Sequence, residues 1–443
     1  GYGLIANNMI HVEGRGIHIH YYNSLQNIYY NTIQSTSTTE TINYNNYGGG
    51  GLITFTNNIL SNTGAGKVFE VGNSNYFISD YNLLYTTGNY LANWSSDEIE
   101  LSDWQTATSQ DLNSVYLNPT FISTSDLTPQ SSLLDNSGIP VIEVSEDING
   151  SPRSGSTPDM GALEYTGTTI PLNGSYTVGL GGDYSSISDA VEALYIGGIS
   201  ASVTFELLSG EYEEQVEILP VSGGSLANTV TFKSSTENAA DVIWKHDSDS
   251  GNNYMIKLEA ADNIIIEHIT FQSLDYSYAQ KIVFGGSAQS INIEDNIFES
   301  FVTSSSSNNA SHIYANSSVG KNRTIRNNTF TGGGGYAIYL NGGGNKTGLE
   351  ITGNSFTNTY NGIHVGYYDN IIISDNTING EGMSGTGIYL AYCKGPMQVL
   401  NNRIDSPITL DNGIYLHDCD GSVETGYGLI ANNMIHVEGR GIH

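Results

Sequence analysis

Gly362-Ile-His-Val365, Gly387-Ile-Tyr-Leu390 and Gly413-Ile-Tyr-Leu416 are one phrase written three times, and Ala337-Ile-Tyr-Leu340 is its forerunner. Gly16-Ile-His-Ile19 carries the phrase again. Residues 1–18 recur without one change as residues 426–443, an offset of 425, so the phrase also follows Leu416. Its central isoleucines stand at 338, 363, 388, 414 and 442, which are 25, 25, 26 and 28 apart. A second mark, Asn followed two residues later by an apolar side chain, keeps the same period at Asn296, Asn328, Asn354, Asn376 and Asn402. It continues at Asn8, Asn31, Asn58 and Asn82.

A period in the twenties built from short strands predicts a solenoid, in which each repeat buries its apolar face only by stacking on its neighbours. The rival all-β arrangement is a sandwich. A sandwich has strands of mixed direction and no reason to keep one residue type at one phase, whereas a parallel β-helix stacks like positions about 4.8 Å apart. The isoleucine and asparagine columns therefore predict an all-β chain, a parallel β-helix solenoid. Ile and Leu point inward, and Asn, which tolerates a left-handed backbone, holds a sharp turn.

The unchanged repeat of residues 1–18 makes the chain read as one 425-residue period of a tandem array plus an overlap, cut at arbitrary points. Short apolar runs broken by Asn and Gly extend to about residue 85, and an irregular C-terminal cap region follows to 165. Residues 166–175, with Pro171 and Gly174, form the predicted linker. Residues 176–443 then begin the next unit. Its one convincing helix spans about 186–196, announced by Ser186-Ile-Ser-Asp189 and stopped by Gly197. A helix there is placed to cover the first open rung. Within one unit, ten or more rungs give a rod on the order of 50 to 70 Å.

Lys and Arg total 14 against 45 Asp and Glu, a net charge of −31. Such a surface excludes nucleic acid and anionic membrane as partners and favours divalent cations. No run is long enough for a membrane span. Composition rich in Gly, Asn, Ser, Thr and Tyr suits an extracellular or cell-surface protein.

The repeat, in Ile325-Arg-Asn-Asn-Thr-Phe330 and Ile372-Ile-Ser-Asp-Asn-Thr-Ile378, resembles the right-handed parallel β-helix superfamily that includes pectate lyases and polygalacturonases. Tyr176 to Ile218, with Gly210-Glu-Tyr-Glu-Glu214, resembles the start of large bacterial surface and secreted β-helix proteins. Asp147-Ile-Asn-Gly-Ser-Pro-Arg153 and Pro158-Asp-Met-Gly-Ala-Leu-Glu-Tyr165 are similar to the way such domains end. The resemblance implies an exported adhesin or a polysaccharide-processing protein.

Side chains alternate along a strand, so the residue between two inward aliphatics faces out. That column reads Tyr339, His364, Tyr389, Tyr415 and His18, either a ligand-binding aromatic strip or a ring stack that stabilises its own sheet. His417, Asp418, Asp420 and His20 fall on successive rungs as metal candidates, and Asp247 and Asp249 begin a stretch like a calcium loop that Leu258 fails to close. No cluster of carboxylates with a basic residue, as polysaccharide-cleaving relatives need, is legible. Cys393 and Cys419 each lie five residues after a central isoleucine, within reach of a disulfide across one rung.

These features lead to the expectation of a non-catalytic structural unit of an extracellular filament or adhesin, with no cofactor beyond possible Ca2+. Its expected partners are further copies of itself and surface glycans. The alternative is a secreted polysaccharide lyase or hydrolase, or a glycan-binding descendant of one.

Overall fold

The computed structural model describes every residue except 1, 21–24, 46–50, 73–75, 89, 99–100, 132–133, 168–169, 319, 380–384, 407–410 and 420–427. The chain divides into two compact units. The first comprises Gly1–Leu172, Glu192–Ser200 and Pro220–Gly223, and the second Asn173–Val191, Ala201–Leu219 and Gly224–His443.

The larger unit is a parallel β-solenoid. Each coil contributes one strand to each of three sheets, as in Ile291–Glu294, Ile297–Val302 and Ile313–Ser318, and the sheets hold 10, 9 and 9 strands. Pairing is parallel and in register, so like positions stack: Ile313 lies on Ile338, Ile338 on Ile363, Ile363 on Ile388 and Ile388 on Ile414. All five are fully buried. In the second sheet the inward column is aromatic, with Phe271, Phe298, Phe330 and Phe356 stacked at centroid distances of 5.1, 4.8 and 4.9 Å. Each such side chain contributes about 1.5–3 kcal/mol by burial, which is what makes stacking coils favourable.

Between the first and second sheets the chain bends on one left-handed residue, such as Asp295, Asn327, Asp375 or Asn401, with φ of 55 to 58°. The ladder asparagine follows it. Asn354 Nδ2 donates to Ile325 O of the coil below (2.9 Å) and to Asn376 Oδ1 of the coil above (3.0 Å). Its own Oδ1 accepts from the backbone N and the Nδ2 of Asn328 (2.9 and 3.0 Å). The asparagine thus tiles the corner with bonds to both neighbours, while the residue before it supplies the unusual backbone. Sequence reading gave both jobs to one residue.

The glycine of the repeated phrase is fixed by space. A Cβ on Gly362 would stand 2.2 Å from Gly387 O and 3.1 Å from Ile378 Cδ1, and one on Gly387 would stand 2.7 Å from Gly413 O and 3.0 Å from Ile404 Cγ2. At Gly362 and Gly387 only hydrogen fits, whereas the coil before them accommodates the methyl of Ala337 at the same register position.

Helix α1 (Leu101–Thr108), which sequence reading missed, belongs to the smaller unit, and α2 (Ile187–Gly197) is the predicted helix. The Glu214 carboxylate accepts the amides of Ile187 (3.0 Å) and Ser188 (2.8 Å), satisfying first-turn donors at the positive end of α2. Glu214 and Tyr212, whose hydroxyl donates to Val178 O and Leu208 O, give the Gly210–Glu214 motif a structural role.

The smaller unit has four coils, then α1, whose Trp104 lies on Phe69 (5.6 Å, 13° between rings) and donates Nε1 to Asp111 (2.7 Å). Asp111 is buried, and burial pushes its carboxyl above the usual range against the hydrogen bonds from Ser114, Trp104, Ser79 and Asn82. It ends the asparagine ladder. A second core of Ile59, Leu83, Tyr85, Leu117, Leu134 and Met160 forms where the terminal segment lies along the middle sheet. The two end motifs fasten that segment. Arg153 donates to Asn7 Oδ1 (2.8 Å) and Gly161 O (2.9 Å) and lies over the Tyr30 ring, while Asp147 accepts the amides of Asn149, Ser151 and Glu164.

Candidate functional site

The outward face of the third sheet in the larger unit carries one unbroken column. From the first coil onward it reads Glu217, Lys257, Val283, Tyr314, Tyr339, His364, Tyr389 and Tyr415, each the register partner of the next. Two chemistries share it.

At its start, Lys257 Nζ lies between Glu217 (2.7 Å) and Glu259 (2.6 Å). Burial alone would lower the lysine, but hydrogen bonds to both carboxylates outweigh it and hold the ammonium above its ordinary range. Gly285, opposite Glu259, leaves the room that the carboxylate occupies, since a Cβ there would lie 2.1 Å from Glu259 Oε2. This corrects the sequence reading, which found no carboxylate cluster with a basic residue. The three residues are 40 and 2 positions apart in sequence, and coil length at this end departs from the period that made the later columns legible.

Further along, the rings lie against one another, near-parallel from Tyr314 to His364 and tilted by 43 and 41° from there to Tyr415. Tyr314 and Tyr339 are 5.4 Å apart, Tyr339 and His364 4.5 Å, His364 and Tyr389 4.9 Å, and Tyr389 and Tyr415 5.0 Å. From Tyr314 to His364 the ring faces are engaged with each other, so the edges are what a ligand meets there. His18 lies in the smaller unit, on the strand beside Asn43, and it is its duplicate His443 whose ring lies against Tyr415, tilted by 51° at 4.9 Å. Beside this column, Asn341 Nδ2 donates to Asn316 Oδ1 (3.3 Å), and Gly366 keeps space open next to Asn341 and His364.

His364 is 8% exposed, and its Nδ1 has no hydrogen-bond partner among the described residues. Burial lowers its pKa to about 4 from an ordinary 6.5. The unfolded chain therefore binds this proton from about pH 6.5 downward while the folded chain refuses it until about pH 4. Stability from this group is present above the unfolded pKa and is lost as pH falls through the window, by about 3 kcal/mol in all. His364→Phe should flatten the fall in denaturation free energy between those pH values. An unchanged pH profile would contradict the burial of a neutral imidazole. The buried His312 is shifted in the same direction, so part of the slope persists.

The metal candidates do not assemble. Among the described residues no three His, Cys, Asp or Glu side chains gather as a cation site. His417 Nε2 contacts the Tyr392 hydroxyl (3.2 Å), His20 belongs to the smaller unit and packs on His18, and Asp420 lies outside the described residues. Asp418 is the left-handed residue of a turn (φ 52°). Asp249 accepts the amides of Gly251 (2.7 Å) and Asn252 (2.9 Å), an acidic turn, and Asp247 joins it in no cluster. Cys393 and Cys419, the expected disulfide pair, are brought into hydrogen-bond contact with each other and carry no bond between them in the structure. That contact lowers Cys419 and raises Cys393. No helix among the described residues is long and apolar enough to cross a membrane.

Residues 311–443 match the family described as a right-handed beta helix region. Probable pectinesterase A from Aspergillus flavus and its counterpart from Aspergillus oryzae are each 29% identical over 131 residues, 28% of this chain and 40% of theirs. The chain thus spans about two fifths of the length of these curated relatives. Among solved structures, a pectin methylesterase from Aspergillus niger is 17% identical, with 59% of this chain and 92% of that one covered and a TM-score of 0.36. A PL6 family alginate lyase is 10% identical, with 100% and 70% covered and a TM-score of 0.27. The similarity to the pectinesterases overturns the expectation of a non-enzymatic chain, because the curated proteins it resembles are enzymes.

Proposed function

We propose that this chain is a secreted enzyme acting on a polysaccharide, with the outward column of the third sheet as its working face and carboxylic-ester hydrolysis on a pectin-like glycan as its reaction. The observation that carries the reading is the similarity to pectinesterase A. The face agrees with it. A surface that repeats every ~4.8 Å suits a polymer of repeating units better than a small molecule. In this reading one carboxylate of Glu217 and Glu259 draws a proton from water as the water oxygen bonds to the ester carbonyl carbon, the Lys257 ammonium steadies the negative charge on the carbonyl oxygen, and collapse breaks the ester C–O bond, the alcohol leaving with the proton that the carboxylate holds. The ring edges, with Asn316, Asn341 and the tyrosine hydroxyls, hold the glycan along the coils.

Net charge supports a choice between substrates. A chain at −31 repels a fully ionised polyuronate, whereas an esterified one presents little charge. The test is electrophoresis in gels containing either form. Esterified polysaccharide should retard the chain, de-esterified polysaccharide should retard it less, and Tyr314→Ala with Asn341→Ala should weaken retention. Equal mobility in all gels would remove this face as a glycan seat.

A further inference from the structure

We propose that Ser300 and Lys281 form a second reactive site, a serine nucleophile served by a lysine base, which takes carboxylic esters carrying an apolar acyl group. The site lies apart from the Glu217, Lys257 and Glu259 group. Glu259 stands opposite Gly285, where a strand of the third sheet ends, whereas Lys281 immediately precedes Ile282, where that strand begins.

The residue before each stacked isoleucine turns the corner from the second sheet to the third. In later coils it is Ala337, Gly362, Gly387 and Gly413, small residues at a tight corner. In the two coils before Ala337 it is His312 and Lys281. They belong to the same column, since Ile282 N donates to His312 O (3.1 Å) and His312 N to Ala337 O (3.0 Å). Room for such long side chains exists because the chain makes longer loops here, from Ser273 to Ile282 and from Val302 to Ile313, than it makes from Gly333 to Tyr336. Both side chains are fully buried.

Lys281 Nζ reaches two partners. It donates to Ala279 O (3.0 Å) and meets the hydroxyl of Ser300, which is only part-buried. Among the described residues no carboxylate forms an ion pair with it. Burial pushes the amine well below the ordinary lysine range, against the pull of Glu299, so the neutral form is favoured and its lone pair is open to a proton. His312 adds no charge. Its Nε2 donates to Gly332 O (3.1 Å), its Nδ1 has no partner among the described residues, and burial and the neighbouring Lys281 hold it well below its ordinary range.

The approach to Ser300 is apolar. Phe301 and Val302 follow it and are exposed, as are Leu274 and Tyr276 on the preceding coil. Gln272 pairs with Glu299, and Leu274 and Phe301 each stand two residues past that pair. Large apolar side chains exposed beside a serine suit the acyl part of an ester. In the proposed step, Ser300 Oγ bonds to the ester carbonyl carbon as its proton passes to Lys281 Nζ. The C–O bond to the alcohol then breaks, and the alcohol leaves with the proton from Lys281. The acyl group stays on Ser300 and the amine is neutral again, ready for water to repeat the sequence and release the acid.

The test is p-nitrophenyl butyrate with the whole chain. A burst of about one nitrophenolate per chain is expected, with a butyryl group found by mass on the peptide that holds Ser300. Ser304→Ala should leave the burst unchanged and Ser300→Ala should abolish it. Lys281→Met, of like length, should slow it by about 100-fold or more. The chain unfolded in urea keeps the same serine and should take no label, so activation by the fold is measured even where the lysine variant does not fold. No label on Ser300 in the folded parent, an equal label after unfolding, or a rate that Lys281→Met leaves unchanged would overturn the assignment.

Discussion

Asn354→Leu is expected to lower the denaturation free energy of the larger unit by about 3 to 5 kcal/mol. Leucine matches the volume and removes the polar end. That leaves the carbonyl of Ile325 without its side-chain donor, the Oδ1 of Asn376 with only the backbone N of residue 354, and the backbone N and Nδ2 of Asn328 without their acceptor. Asn354 is 1% exposed, so water does not replace these bonds, and each orphaned buried group costs about 1–3 kcal/mol. Asn354→Asp should be damaging as well. It keeps the acceptor for Asn328 but turns an oxygen toward Ile325 O, where a donor is needed. Urea denaturation reads both. A loss under about 1 kcal/mol for the leucine variant would mean that the ladder is incidental to the fold.

Gly362→Val should be equally severe, for a different reason. The glycine has no left-handed backbone to excuse it, and what forbids a side chain is Gly387 O at 2.2 Å and Ile378 Cδ1 at 3.1 Å from the Cβ position. The obstacle is backbone of the next coil, which cannot turn aside as a side chain can. Overpacking of this kind costs about 1–3 kcal/mol where neighbours can relax, and more where they cannot. The valine variant should therefore unfold at lower denaturant than Gly362→Ala, and both below the parent. Equal midpoints would show that the third sheet has slack where it meets the second.

Phase decided what could be read from sequence. Ile338, Ile363, Ile388 and Ile414, and the asparagines from Asn296 to Asn402, repeat at nearly constant spacing, and their inward placement follows from that spacing alone. The parallel solenoid was legible for the same reason, as was α2 from its capping residues and apolar face. What breaks period was not. Glu217, Lys257 and Glu259 meet because two coils of unequal length bring them into register, a fact carried by loops and not by any column. The buried Arg323, whose guanidinium donates to Ala288 O and Tyr368 Oη (2.7 Å), and the buried Lys281 and His312 also look like surface residues in sequence. Helix α1 is only eight residues long and has a weak apolar face, with Trp104 as the one deeply buried side chain among those described. Chemistry on the outward face was half legible: the ring column stood out, but whether rings face a ligand or each other depends on side-chain angles that spacing does not contain.

The proposed enzyme stands or falls on turnover at the Glu217, Lys257 and Glu259 group. The measurement is alcohol released from an esterified acidic polysaccharide by the whole chain, beside Glu259→Gln and Lys257→Met variants whose folding is verified by denaturation. Release by the parent, with a loss on the order of 100-fold or more in each variant, is the predicted result. No release by the parent, or release that survives both substitutions unchanged, would contradict the assignment of this face as an active site.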